Sequence, residues 1–144
     1  MMSFIYKKLN NRKGFSLIEL IVVIAIMGIL AAVAIPRVTT SLATAKKNTD
    51  YNNAAAIANA INLAVAQNNL SLTNGTHTEK LDGSASSHPI TDAVAMYIDS
   101  APNIQSGTGV FTANVIVANG AITSIKITDG AATNPITFYP KPAE

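Results

Sequence analysis

Residues 15–35 read FSLIELIVVIAIMGILAAVAI, apolar except for Ser16, Glu19 and the small Gly28. From Leu20 onward this stretch is apolar on every side. It lacks the polar back of a surface helix, so a membrane or a dry protein environment must surround it. Its 21 residues, at the helical rise, span about 31 Å, the thickness of a bilayer's hydrocarbon core. A second helical pattern runs from Arg37 to about Asn68. It crosses a polar section, residues 44–50, and enters an alanine-rich one where Ile57, Ile61, Ala64 and Val65 form an i, i+4, i+7, i+8 stripe. The stripe predicts one face covering a sheet, with the back left for the following loop or for other chains.

Residues 69–109 are rich in Ser, Thr, Asn and Gly, with Asn74-Gly75 and Asp82-Gly83 as turn signals, and read as connecting structure. Within them Thr91 is expected to cap a short helix over 92–100, with Pro102 just past its end. The last third alternates and predicts three strands, 110–117, 121–128 and 136–139, punctuated by Asn119-Gly120 and Asp129-Gly130. A two-residue Asn119-Gly120 loop would set Asn114 against Ile125. A three-residue loop, 118–120, pairs Val117 with Ala121, Val115 with Thr123, Ala113 with Ile125 and Phe111 with Ile127, giving one apolar face, and is the expected register. The fold class is therefore α+β: a long N-terminal helix whose second half packs on a small antiparallel three-stranded sheet.

Only 12% of the 144 residues are charged, against 49% hydrophobic. Lys7, Lys8, Arg12 and Lys13 precede every acidic residue, so from Phe15 onward 6 basic residues stand against 8 acidic, a net −2. A basic nucleic-acid surface is disfavoured. Basic residues flank the apolar stretch on both sides, with Arg37, Lys46 and Lys47 following it, and the positive-inside bias toward a cytoplasmic N-terminus is slight. With no cysteine there is no disulfide framework and no thiol nucleophile. The tract Ala32-Val33-Ala34 also fits a secretory signal peptide cut after Ala34. Against that stand an apolar region longer than the roughly 7 to 15 residues usual for such a peptide and the carboxylate of Glu19, which calls for a partner inside an apolar environment. A cut between Gly14 and Phe15 supplies one, a cationic amine one helical turn before Glu19.

Lys13-Gly14-Phe15-Ser16-Leu17-Ile18-Glu19-Leu20, followed by the apolar run with Gly28 and Pro36, resembles the N-terminal signature of type IV pilins and their pseudopilin relatives. The resemblance covers roughly residues 12–36. It implies a leader, residues 1–14, removed after Gly14 by a prepilin peptidase; N-methylation of the new N-terminal Phe15; and pairing of Glu19 with the Phe15 amine of a neighbouring subunit. It also implies that Gly28 and Pro36 bracket a part of the helix that loosens on assembly, which agrees with glycine's low helix propensity and proline's missing donor. The implied organisation is leader 1–14, transmembrane and polymerisation helix 15–36, and a pilin head 37–144 comprising helix 37–68, connecting structure 69–109 and sheet 110–140. The absence of cysteine resembles pilins of Gram-positive bacteria.

Candidate chemistry adds little. His77 and His88 lie in a polar loop without ligand-like spacing, and Glu79, Asp82, Asp92 and Asp99 are scattered. There is no phosphate loop or nucleophile elbow. Asn69-Leu70-Ser71 and Asn74-Gly75-Thr76 match glycosylation acceptors only formally. The expectation is a non-enzymatic structural subunit without cofactor or metal. It is held in the cytoplasmic membrane as a precursor and then becomes part of an extracellular filament of identical copies. Its partners are itself, the peptidase, the assembly machinery and the lipid bilayer. The rival readings are a secretion pseudopilin or minor pilin, and a membrane-tethered adhesin or binding module.

Overall fold

The computed structural model describes residues 14–82, 89–98 and 102–142. The leader as far as Lys13, together with Gly83, His88, Asp99 and Ser100, lies outside the described residues. Six elements follow in order: α1 (Leu17–Ala66), β1 (Gly75–Lys80), α2 (Pro89–Ala95), β2 (Thr112–Ala118), β3 (Ala121–Thr128) and β4 (Thr137–Tyr139). By compactness the chain divides between Ser41 and Leu42.

In the first unit every described residue belongs to the start of α1 or leads into it, and every one is exposed, including Phe15 at 86% and Ile29 at 68%. These side chains find no apolar partner within their own unit, which is the property that the all-round apolar pattern predicts.

The second unit forms one core. The buried face of α1 consists of Asp50, Ala54, Ile57, Ala58, Ala60, Ile61 and Ala64, so the predicted stripe is buried at Ile57, Ile61 and Ala64, with Val65 half-buried. Alanines at 54, 58, 60 and 64 let the helix backbone approach closely, and the larger side chains of Phe111, Val115, Ile127 and Phe138 complete the same cluster. Phe138 meets Phe111 edge-on at 5.4 Å and Tyr51 at 6.0 Å between ring centroids, a geometry that sets the positive edge of one ring on the negative face of another.

The sheet is antiparallel with four strands, in the order β1-β2-β3-β4, and not the three expected. The added strand, β1, has the sequence GTHTEK, with no apolar residue to announce it. It is an edge strand whose pairing places His77 opposite Val115 and Glu79 opposite Ala113. The strand therefore turns polar side chains toward the core side and depends on hydrogen bonding to hold them.

The β2–β3 hairpin corrects the expected register. Its loop is the two-residue Asn119-Gly120, both with positive φ (55° and 76°), and Ala118 pairs with Ala121 and Val117 with Ile122. This is the type I′ geometry for which Asn-Gly is best suited. A bulge at Thr123 then shifts the pairing so that Ile116 meets Ser124, Val115 meets Ile125 and Ala113 meets Ile127. The Thr123 hydroxyl donates to the Ile116 carbonyl at 3.1 Å. The bulge resolves the conflict that counted against the shorter loop: one extra residue moves Ile125 from Asn114 to Val115. Phe111, Val115, Val117, Ile125 and Ile127 all reach the core, as the expected face requires.

The short helix also begins earlier than expected. It starts at Pro89, where a missing N–H costs nothing, and Thr91 lies inside it. Its first turn is capped by Glu79, whose Oε2 accepts the N–H groups of Ile90 and Thr91, both at 3.1 Å. A second buried carboxylate does the same elsewhere. Asp50 Oδ1 and Oδ2 accept the N–H groups of Gln105 and Ser106 at 2.7 and 2.8 Å. Between them, two carboxylates fasten the connecting structure to the helix and the sheet. The Tyr97 hydroxyl adds a third tie, accepting from Asn69 and donating to Gln67, both at 2.9 Å. Of the two formal glycosylation acceptors, Asn69 is thus engaged with Tyr97, and Asn74 accepts the Gly120 N–H at 3.0 Å.

Candidate functional site

The residues singled out by the sequence line up at the start of α1. Gly14, Phe15 and Ser16 precede the helix, and Glu19 sits in its first turn. Ser16 N–H donates to Glu19 Oε2 at 2.8 Å. With Ser16 at the N-cap and Glu19 at the third helical position, this is half of a capping box, in which the acidic side chain reaches back to satisfy an otherwise orphaned donor. The carboxylate also lies where the helix macrodipole favours negative charge. The role of Ser16 was not among the expectations for Glu19, although the spacing Ser-x-x-Glu ahead of an apolar run was there to be read. Glu19 Oε1 makes no hydrogen bond among the described residues.

Phe15, Ile18, Glu19, Val22 and Val23 border an open hollow of about 330 Å³. Glu19 is the one charged group on its rim, among apolar neighbours. A side chain added at Gly14 would meet nothing within 4 Å, and the same holds at Gly28. Nothing in the described residues therefore requires glycine at either position.

Helix α1 runs unbroken through Gly28 and Pro36. Pro36 lacks the N–H that would close the hydrogen bond to residue 32. Its own carbonyl is well supplied, accepting the hydroxyls of Thr39 and Thr40 at 2.9 and 3.0 Å. By length and composition α1 is the one helix among the described residues able to cross a membrane. His77 bonds the Thr73 carbonyl at 2.8 Å. No group of three metal-ligating side chains occurs among the described residues.

Residues 9–35 match the prokaryotic N-terminal methylation motif. The chain is 35% identical over 123 residues, 83% of its length, to the type IV major pilin protein PilE1 of Neisseria gonorrhoeae. It is also 68% identical over 28 residues, 19% of its length, to a fimbrial protein of Moraxella nonliquefaciens. The matched regions span 46% of the first relative and 18% of the second, less than half of either. No solved structure matches the chain. The methylation motif and these relatives make the chain similar to type IV pilins over the matched regions, and a long N-terminal helix followed by an antiparallel sheet is consistent with that likeness.

Proposed function

We infer that this chain is the repeating subunit of a type IV pilus. The observation that carries this reading is the apolar first stretch of α1, exposed throughout and led by the matched methylation motif. In the precursor, lipid covers that surface, and the chain is a single-pass protein of the cytoplasmic membrane. In the filament, the same helices of other copies cover it. Both environments are apolar, so the transfer is nearly neutral, and packing with polar pairing decides the register.

Leader removal after Gly14 by a prepilin peptidase creates the Phe15 amine, which is then methylated. The amine of an incoming copy pairs with Glu19 of its neighbour. The capping geometry supports this role, because Ser16 occupies one carboxylate oxygen and leaves the other open. Gly28 and Pro36 act as the weak points at which the helix loosens in the assembled state. The pseudopilin, minor-pilin and adhesin readings have no comparable observation behind them.

Mass spectrometry of protein sheared from the cell surface tests this reading. The expected result is abundant filaments whose subunit begins with N-methylated Phe15. A mature N-terminus at Ile35 would establish the signal-peptide rival. Gly14→Val should leave the precursor uncut in the membrane, since the added side chain meets nothing among the described residues and would crowd the peptidase site that glycine leaves empty.

A further inference from the structure

We propose that each copy carries two complementary surfaces on opposite edges of its sheet, and that Asp92 and Met96 of one copy seat in the lysine-lined groove beside β4 of the next. The proposal rests on the filament reading above and names a contact between heads.

The acidic side of the contact emerges from an inventory of carboxylates. Among the described residues Glu19, Asp50, Glu79 and Asp129 all accept hydrogen bonds within the chain, and Asp82 is engaged as well. Asp92 is the one carboxylate with no such partner. It is exposed on α2, and one turn later Met96 is 64% exposed. Together they present a negative charge beside a flexible thioether that adapts to irregular apolar surfaces. Glu79 of β1 holds the start of α2, so this pair belongs to the β1 edge of the sheet.

The groove belongs to the other edge. Lys47 and Tyr51 of α1 form one wall; Ile136, Lys141 and Pro142, around β4, form the other. It has a volume of about 550 Å³ and no carboxylate in its lining. Lys47 makes no hydrogen bond or ion pair among the described residues. Lys141 Nζ stands 5.5 Å from the centroid of the Tyr51 ring, which holds that amine over the groove floor. Ile136, at 51% exposure, supplies an apolar rest for Met96. The chemistry is two amines beside an apolar ledge, the complement of a carboxylate beside a thioether.

Because β1 and β4 are the two edges of a four-stranded sheet, the two surfaces cannot meet within one chain. Two copies side by side bring them together. Each copy then keeps one surface unused on either side, so the contact is heterologous and repeats, as filament growth requires and a closed dimer does not. Complementary charge at such a contact sets register and suppresses wrong pairings more than it adds affinity.

The native chain has no cysteine, so an introduced pair reports without background. The full-length chain carrying Asp92→Cys together with Lys47→Cys is expressed in cells, and sheared filaments are oxidised mildly. The expected product on a non-reducing gel is a ladder of dimer, trimer and higher species, with each single variant stopping at the dimer or below. Charge reversal is the second measurement. Asp92→Lys and Lys47→Glu should each lower filament yield per processed subunit by roughly tenfold, and the two combined should restore it. Filaments without a ladder, or a double reversal no better than the singles, overturn the contact and leave the filament reading intact. Failure of the unaltered chain to form filaments overturns that reading, and the contact with it.

Discussion

At Glu19 the cap present in the structure and the pairing proposed for the filament are separable by substitution. The cap needs only an acceptor oxygen; pairing with a neighbour's amine needs charge. Glu19→Gln keeps the first and loses the second, whereas Glu19→Leu loses both. If pairing matters, filament yield should collapse in both variants while leader removal and membrane insertion stay near normal, because stranding one partner of a buried pair costs about 3 to 5 kcal/mol. Filaments from Glu19→Gln but not Glu19→Leu would mean that the cap alone is required. Asp50 makes a different demand. It is fully buried, yet its partners are two backbone N–H groups and not a cation. Asp50→Ala leaves both donors unmatched and should destabilise the head by about 3 kcal/mol, taking each hydrogen bond to a charged group near the low end of its range. Thermal melting of the chain in detergent measures this. Neither use of Asp50 or Glu79 was legible in the sequence, because nothing local distinguishes a carboxylate reserved for distant amides from one left in solvent.

At the scale of elements, legibility followed apolar periodicity. The second half of α1 and strands β2, β3 and β4 were readable because their side chains alternate or wind between oil and water, and the first half of α1 because it is apolar on every side. Strand β1 was not, since an edge strand that buries Glu79 instead of an aliphatic residue carries no such signal. The hairpin lies between these cases. The expected and observed registers differ by two residues along most of their length, a shift that preserves which face each side chain takes because the pleat has period two. The face was therefore readable while the loop was not. The bulge makes a sharp prediction. Deleting Thr123 leaves the Asn119-Gly120 turn, keeps Val115 opposite Ile125 and only regularises the ladder, so the melting temperature should fall by no more than about 5 °C, equivalent to roughly 1 kcal/mol. Deleting Lys126 instead would carry Ile127 to the wrong face. Equal damage from both deletions would show that the bulge is not the register device described above.

For the molecule as a whole, the division between Ser41 and Leu42 separates a continuous exposed apolar surface from a unit that buries a core of its own. The long helix with an antiparallel sheet was legible as a class, and so was the continuous apolar stretch at its N-terminus, which is exposed throughout. What the chain meets through its head was not, since it depends on side chains brought together only by the topology. A chain beginning at Arg37 keeps the core of the head and loses nearly all of the continuous apolar surface. It should sediment as a soluble monomer, and filaments or membrane association from it would show that the polymerising surface has been misplaced.

The two carboxylate ties carry one more consequence. Small exported heads often fasten long connecting structure with disulfides, which require an oxidant and can be undone by a thiol reductant. Here Asp50 and Glu79 fasten it with hydrogen bonds to amides, which form as the chain folds and involve no electron transfer. The head can therefore reach the same folded state on either side of a membrane, whatever the redox poise there.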